Sequence, residues 1–575
     1  MPKSLSILRW TAKTSLSSRI QDPLGLYMLK FLEKYFLPGI TTQTERLRYY
    51  SFLTWAWKII TDRNLKRTKI LDMEKVVTLA AALHHLNDSS PPRGIRNRQS
   101  AKTFLQTHRS IRINQFTNFG RNNRIGYGNY YYRGPLATLR ICGRENDKIV
   151  ISEIGERIVK AFEDVVPNKT DLLLKNHLSR KELSKLSVLC FCADRISSAE
   201  RKLWRIVFFG FTKPSKGFSL YFDHEEFIKF GQGKMKFYDI SIDGKLNIED
   251  YLRDLEKLDV FYYNLQEFVK TALARRYTLF MIMKIINETK PIVSGEALNQ
   301  IIRDCIYFNQ FDEGGNVKVI DFGPLRRFIK LWESYVHNLY YINFFEFLFE
   351  ILLKKLANYP MGTTIQKVIS SFDTEEVVKG LQNIGVYVLD RDPEIKEIDS
   401  YIRERLSKKT SLDIKPNEKQ VFLNVIQRKT FEKELANLIV LFLLLKYRFE
   451  NFSQMQRKAC EFHESRLYSL RPSSVYHSLP KGNMTEFLYT ALNLVKNRHR
   501  LISALKYTID GTRSWLFTEE DGLLYYYGKE YWARPYREAK WRNVIELLID
   551  MGLVTVKKNR FYLSRLGEKW LEKIF

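Results

Sequence analysis

Apolar side chains recur along most of this chain at the spacing that places them on one face of a helix. The pattern is clearest through Tyr251–Asn287, Leu325–Asn358 and Glu418–Phe449. Prolines such as Pro360 interrupt it between these stretches. We therefore predict a helical central domain over residues 251–465.

The N-terminal part also has helical periodicity. Thr42 and Glu45 have the spacing of a capping box, and apolar residues continue to Trp57. Further along, the apolar runs Leu203–Phe211 and Phe218–Phe222 are predicted to be strands. The chain therefore has small β elements among its helices.

Two segments far apart in the chain have similar sequences. Ile149–Val159 reads IVISEIGERIV, and Phe561–Leu571 reads FYLSRLGEKWL. Each predicts a short strand followed by a helix, with Ser152 or Ser564 as the N-cap residue.

The C-terminal copy has a clear context upstream. Pro535–Asp550 predicts a helix, the apolar run from Leu553 a strand, and the basic residues from Lys557 a tight turn before the returning strand. This order resembles the winged helix-turn-helix family over residues 485–575. The earlier copy resembles the same module over residues 100–165. The resemblance implies that the helix from Pro535 is a recognition element and that the turn is the tip of a wing.

We predict a mainly α fold with small β-hairpins (α+β), in which winged-helix modules flank a helical central region. In chain order the domains are an N-terminal helical domain, a basic Arg-rich segment with a winged-helix-like unit, a mixed α/β region, the helical central domain and a C-terminal winged-helix domain. Their predicted bounds are 1–88, 89–165, 166–250, 251–465 and 466–575.

Charge adds a functional prediction, because the chain is strongly basic. It has 93 Lys and Arg against 64 Asp and Glu, a formal net charge of +29. From Ser89 to Arg144 there is no Asp or Glu, whereas ten Arg, one Lys and seven aromatic residues are present. We call residues 89–144 the acid-free segment. One sign of charge attracts a polyanion, and Arg and aromatic side chains suit phosphates and bases. The sequence therefore predicts nucleic-acid binding.

The predicted contacts form an N-terminal and a C-terminal group. The N-terminal group consists of arginines of the acid-free segment: Arg93, Arg96, Arg98, Arg109, Arg112, Arg121, Arg124 and Arg133. The C-terminal group is implied by the winged-helix resemblance and comprises Arg534, Arg537, Lys540 and Asn543 of the recognition helix, with Lys557, Lys558 and Arg560 of the wing tip.

Motifs for catalysis are weak, and no catalytic residue is predicted. The chain has no phosphate-binding loop of the GxxxxGK[ST] type. Asp390, Glu394 and Lys396 have the residue types of a metal-dependent nuclease. Only three residues separate the two carboxylates, which leaves no room for the second strand that such nucleases use.

No metal and no cofactor is predicted either. His84 and His85 lie in a predicted helix, where adjacent side chains point apart, so a shared ion is disfavoured. Cys190 and Cys192 alone are a poor signal for zinc or a disulfide, and we interpret them as free buried thiols in a reducing cytosol.

The chain is predicted to be cytoplasmic and without membrane spans, since its longest apolar run, Leu438–Leu445, is far shorter than the ~20 residues that a span needs. Residues 20–60, with DPLGL from Asp22 and LPGITTQTERLRYYSF from Leu37, resemble the opening of large bacterial proteins encoded in phage-defence or mobile-element neighbourhoods. That resemblance implies a protein that acts on DNA with other subunits.

Three hypotheses follow. The first is a non-catalytic subunit of a bacterial anti-phage system that binds double-stranded DNA and docks protein partners, such as an ATPase or nuclease. The second is a metal-dependent nuclease with a cryptic site at Asp390, Glu394 and Lys396. The third is an RNA-binding protein, suggested by the Arg, Tyr, Gly and Asn residues of the acid-free segment.

Overall fold

A computed structural model shows a mainly helical protein with small antiparallel two-stranded sheets, which confirms the predicted fold class. Within its described residues no helix is both long and apolar enough to traverse a bilayer. The structure describes Leu24, Leu26 and, with short gaps, residues 33–40, 46–88, 97–116, 136–212, 237–238, 268–407, 421, 431–461, 470–528 and 540–575.

The helices vary from one turn to 31 residues in length. In chain order they are α1 (Leu47–Asp62), α2 (Lys69–His84), α3 (Arg98–Thr107), α4 (Glu153–Glu163), α5 (Thr170–Leu174), α6 (Arg180–Lys185), α7 (Ser198–Phe209), α8 (Phe268–Thr289), α9 (Gly295–Phe308), α10 (Arg326–Leu356), α11 (Ile365–Ser370), α12 (Thr374–Asn383), α13 (Ile395–Ser407), α14 (Phe431–Asn451), α15 (Gln454–Cys460), α16 (Pro472–Ser478), α17 (Met484–Asp510), α18 (Trp541–Asp550) and α19 (Arg565–Glu572).

The strands pair in twos, and every pair is antiparallel. In chain order they are β1 (Ile111–Arg112), β2 (Cys142–Glu145), β3 (Lys148–Ile151), β4 (His177–Leu178), β5 (Phe211–Thr212), β6 (Phe237–Tyr238), β7 (Gln310–Glu313), β8 (Asn316–Val319), β9 (Phe517–Glu520), β10 (Leu523–Tyr526), β11 (Val554–Lys557) and β12 (Arg560–Leu563). The pairs are β1 with β4, and otherwise each strand with its neighbour in sequence.

The chain forms two compact units. One, the helical unit, comprises residues 1–32 and 331–537; the other, the composite unit, comprises residues 33–330 and 538–575. The C-terminal residues therefore fold with the N-terminal half of the chain.

Two almost completely buried helices lie in the composite unit. Every residue of α1 from Leu47 to Trp57 is buried, as are most residues of α18. Arg46, which precedes α1, donates a hydrogen bond to Asp550 Oδ1 at a distance of 2.5 Å. The backbone N–H of Leu47 donates to Asp550 Oδ2 at a distance of 2.7 Å. A carboxylate of α18 thus caps the N-terminus of α1, where helical N–H groups lack partners.

The helical unit has an aromatic core. The rings of Phe344 and Phe442 are 5.0 Å apart, and those of Phe442 and Phe487 are 5.4 Å apart, so α10, α14 and α17 meet there. His337 on α10 is fully buried and its Nε2 lies 2.9 Å from the Tyr476 hydroxyl. Burial lowers the pKa of His337 to about 3, which keeps this imidazole neutral.

One predicted strand is wrong. The apolar, β-branched and aromatic content of Leu203–Phe211 predicts a strand, yet residues up to Phe209 belong to helix α7. Leu203, Trp204, Val207 and Phe208 are buried in it, which is a helical rather than an alternating spacing. The other predicted strand, at residues 218–222, lies outside the described residues.

The two similar sequence segments form equivalent local structures. After β3, the Ser152 side chain accepts from the Gly155 N–H at 3.2 Å, and after β12 Ser564 accepts from Gly567 at 3.0 Å. A Cβ on Gly155 would press on the Ile141 carbonyl oxygen, and one on Gly567 would press on that of Leu553. The serine therefore caps the helix, and the glycine lets its first turn approach the preceding backbone.

Candidate nucleic-acid interface and buried histidine–cysteine cluster

About half of the residues predicted to contact nucleic acid lie outside the described residues. These are Arg93, Arg96, Arg109, Arg121, Arg124, Arg133, Arg534 and Arg537. The others are Arg98, Arg112, Lys540, Asn543, Lys557, Lys558 and Arg560.

The described part of the acid-free segment has an apolar and a polar side. Arg98 begins α3 and is half-buried, whereas Arg112 on β1 is exposed. Phe104 and Phe116 are buried, with ring centroids 5.3 Å apart. These two aromatic rings pack in the core of the unit and are unavailable for stacking on bases.

The structure corrects the exposed face predicted for the recognition helix. Asn543 is only 7% exposed, and the neighbouring turns of α18 are buried on almost every side. Lys540 is half-buried, and its backbone N–H donates to the Glu33 carboxylate at 2.8 Å. A helix that reads a groove needs a free face, which the described part of α18 lacks because it packs inside the composite unit.

The wing tip is in a different position. Lys558 and Asn559 both have positive φ, 46° and 57°, as a tight two-residue hairpin turn requires. Lys557 and Lys558 are exposed. Arg560 is also exposed, but its guanidinium donates to the Lys290 carbonyl at 3.2 Å. The side chains of Lys557 and Lys558 are thus exposed at the turn, while Arg560 holds the start of β12 against the composite unit.

The surroundings of Asp390, Glu394 and Lys396 do not support the nuclease hypothesis. Asp390 and Glu394 are exposed and precede α13, and Lys396 is exposed on its first turn. The stretch from Val386 to Asp390 contains no strand.

A buried cluster of four metal-ligand residue types lies elsewhere in the composite unit. His84, His85, Cys190 and Cys192 have ligand atoms that all lie within 4.8 Å of one another. Among the described residues, no other group of three or more His, Cys, Asp and Glu brings its ligand atoms together in this way. We call it the His–Cys cluster.

The helix end brings the two histidines together. α2 ends at His84, and His85 is its C-cap residue, with φ −109° and ψ 25°. The regular angular spacing of helical side chains therefore stops here, and the two rings are 4.3 Å apart. The expectation that adjacent histidines point apart is wrong for this reason.

Extended backbone brings the two cysteines together. Cys190 and Cys192 lie between two 3-10 turns, with ψ values of 142° and 152°. Alternate side chains of an extended chain share a face, so both thiols point to the histidines. Phe191 is directed instead to the aromatic side chains of α1, with its ring 4.8 Å from that of Tyr49.

Specific contacts cross the cluster. His85 Nε2 lies 3.2 Å from Cys190 Sγ, and His84 Nδ1 lies 4.0 Å from Cys192 Sγ. The pKa of the Cys192 thiol is lowered, chiefly because the Cys190 thiol donates a hydrogen bond to its sulfur and His85 adds another. The same hydrogen bond and burial raise the pKa of Cys190. Burial lowers the pKa of His84, as does the adjacent His85.

A second layer of groups fixes the cluster. Asp88 Oδ2 lies 2.6 Å from His85 Nδ1. Arg48 donates to the carbonyls of Val188 and Cys190 at 2.6 and 3.3 Å, and Arg46 donates to that of Phe191 at 3.1 Å. Both arginines are almost completely buried, so the backbone around the two cysteines is held from the start of α1.

The sequence analysis did not predict this cluster, because its two short motifs, His84-His85 and Cys190-x-Cys192, are distant in the chain. His-His and Cys-x-Cys are each weak signals, and their separation matches no familiar zinc motif. The available signal was the pair of short motifs considered jointly, in a chain whose other three cysteines are isolated.

Comparisons with protein-family models, with curated proteins and with solved structures give no match for this chain.

Proposed function

We propose that this protein binds double-stranded DNA as a non-catalytic subunit of a bacterial multi-protein system that acts in anti-phage defence. The observation that carries the proposal is the acid-free segment, with ten Arg and one Lys and no acidic residue. Phosphate contacts dominate the affinity of proteins for nucleic acid and require this excess of positive charge.

Two exposed groups in the described residues support the proposal. Arg112 is exposed on β1, and Lys557 and Lys558 are exposed at the wing tip. All three belong to the composite unit. Phosphate binding at the wing tip needs neither an exposed recognition helix nor base-specific hydrogen bonds, so binding should depend little on sequence.

The central prediction concerns salt. If the protein binds six to ten phosphates, affinity for duplex DNA should fall by about 10³–10⁵-fold between 50 and 200 mM salt. Fluorescence anisotropy with a labelled duplex measures this dependence. An affinity that hardly changes with salt would rule out the proposal.

Charge reversal locates the phosphate-binding residues. Lys557→Glu with Lys558→Glu should weaken binding to every duplex and reduce the salt slope by about one for each phosphate that is no longer bound. Arg121→Glu with Arg124→Glu tests the acid-free segment in the same way. Arg471→Glu with Lys481→Glu is the matched control, because these exposed residues flank α16 of the helical unit. Equal effects of all three pairs would show only the influence of net charge.

The other two hypotheses are outcomes of further assays. Preference for single-stranded RNA in a competition experiment would replace DNA by RNA as the ligand. Mg²⁺-dependent cleavage that is abolished in Asp390→Ala would replace the subunit by a nuclease.

A further inference from the structure

We propose that His84, His85, Cys190 and Cys192 bind a structural zinc ion. Two thiolates and two imidazoles form the tetrahedral ligand set typical of structural Zn²⁺, whereas Mg²⁺ and Ca²⁺ prefer oxygen ligands. This proposal concerns the folding of the composite unit and does not depend on nucleic-acid binding.

The distances suit a four-coordinate ion. Zn–S and Zn–N bonds of about 2.3 and 2.0 Å place tetrahedral ligand atoms roughly 3.3–3.8 Å apart. The ligand atoms of the His–Cys cluster lie within 4.8 Å of one another. Binding therefore requires a small inward movement of the ligand side chains.

The surroundings select one nitrogen of each imidazole. His85 directs Nε2 at Cys190, and its Nδ1 faces the Asp88 carboxylate at 2.6 Å. A carboxylate that accepts the second N–H of a histidine orients the ring and strengthens it as a metal ligand. His84 directs Nδ1 at Cys192, so the ligand atoms are Nε2 of His85 and Nδ1 of His84.

Arg195 responds to the ion. Its guanidinium nitrogen lies 3.0 Å from His84 Nε2. When Nδ1 of a neutral imidazole binds zinc, Nε2 carries the proton and cannot accept from a guanidinium. Arg195 is half-buried, so it can turn toward solvent when the ion binds.

Charge balance permits the ion in this interior. Zn²⁺ with two thiolates and two neutral imidazoles has no net charge, which avoids the cost of a buried unpaired charge. The nearby Arg48 has its own carboxylate partner, Glu200, at 3.8 Å. The positive arginine therefore does not have to be balanced by the cysteines.

The ligand set indicates a structural role. All four positions of a tetrahedral ion are supplied by side chains, which leaves none for water or substrate. His85, Cys190 and Cys192 are buried, and His84 is half-buried. The ion would join the end of α2 to the segment between α6 and α7, directly before the acid-free segment begins at Ser89.

The test is the zinc content of the full chain. Purified from zinc-containing medium and dialysed against metal-free buffer, the protein should retain about one zinc per chain by atomic emission spectrometry. Cys190→Ser with Cys192→Ser should abolish zinc binding. Cys142→Ser is the matched control, since Cys142 is an equally buried free cysteine of the same unit, and it should retain the ion.

Two measurements keep the test decisive if the double variant does not fold. Co²⁺ added to the zinc-free unaltered chain should give tetrahedral d–d absorption and a thiolate charge-transfer band. Asp88→Asn, which keeps all four ligands, should weaken zinc affinity by about 10–100-fold. A folded chain without stoichiometric zinc and without the cobalt spectrum would overturn the proposal, as would a Cys190–Cys192 disulfide in the native protein by mass spectrometry.

Discussion

At the scale of single residues, the buried arginines at the start of α1 are the most consequential side chains. Arg46 is 3% exposed and contacts Asp550, Glu546 and the Phe191 carbonyl. One guanidinium therefore connects α18, the N-terminus of α1 and the backbone between the two cysteines.

At about pH 8, where Asp550 is ionised, Arg46→Met should destabilise the composite unit by about 3–5 kcal/mol, because it leaves the buried Asp550 carboxylate without its cation. Glu546 keeps Arg542 as its partner at 3.0 Å. Urea unfolding followed by tryptophan fluorescence measures this destabilisation. Arg63→Met is the matched control: its ion pair with Asp171 is exposed on both sides and should be worth about 0–1 kcal/mol. Equal effects of the two substitutions would contradict the assigned role.

A second residue-scale prediction concerns pH. Burial raises the pKa of Asp550 from 3.8 to about 7, against the opposing effects of Arg46, the Leu47 N–H and Arg201, and nearby Glu546 adds to the rise. Between these pH values the folded chain holds a proton that the unfolded chain has released. The stability contributed by Asp550 is therefore complete below about pH 4 and declines as pH rises toward 7.

Asp550→Asn tests this assignment, because the amide is neutral at every pH. The difference in melting temperature between the unaltered chain and the variant should shrink as pH increases from about 4.5 to about 8. A difference that stays constant over this range would mean that Asp550 is ionised throughout, held so by Arg46.

At the scale of elements, the repeated strand–serine–glycine–helix unit shows how a short sequence determines a local structure. Ser152 and Ser564 each also donate to a backbone carbonyl, of Ile141 at 2.9 Å and of Gly552 at 2.7 Å. Each serine therefore joins the helix start to the backbone that precedes the hairpin. These interactions are local, which is why the sequence similarity predicted both copies.

Gly567→Ala should destabilise the C-terminal element by about 1–3 kcal/mol, because the added methyl meets the Leu553 carbonyl oxygen. In an unobstructed helix the same substitution would stabilise by up to ~1 kcal/mol. A lower melting temperature would therefore indicate that the contact with the Leu553 carbonyl dominates, and a higher one that helix propensity dominates. Glu568→Ala, at a neighbouring position on the same helix, should alter stability by less than about 0.5 kcal/mol.

Helix α18 shows the opposite case. Its helical periodicity is visible in the sequence, and the helix from Trp541 to Asp550 is present. Its apolar stripe does not reveal that Asn543, Glu546 and Asp550 are buried as well. Polar residues are buried when distant partners satisfy them, and Arg46, the partner of both carboxylates, is 500 and 504 residues away in the sequence.

At the scale of the whole molecule, neither compact unit is a single continuous stretch of the chain. The C-terminal residues from Glu538 onward complete a unit that begins at Glu33, and residues 331–537 belong to the other unit. A division of the sequence into consecutive domains cannot describe units that are built from separate stretches of the chain. The net positive charge, by contrast, does not depend on the fold, because the excess of 93 basic over 64 acidic residues is a property of composition alone.

The helical class, the small hairpins, the two serine-capped helix starts and the net charge can be predicted from the residues alone, because periodicity, capping and composition do not involve distant contacts. The residue pattern does not reveal that α7 is a helix rather than a strand, that α18 is enclosed, or that two histidines meet two cysteines. Each of these depends on packing between distant segments. For the His–Cys cluster the reason is geometric: a helix end and an extended segment, held by Arg46 and Arg48, place the four side chains together.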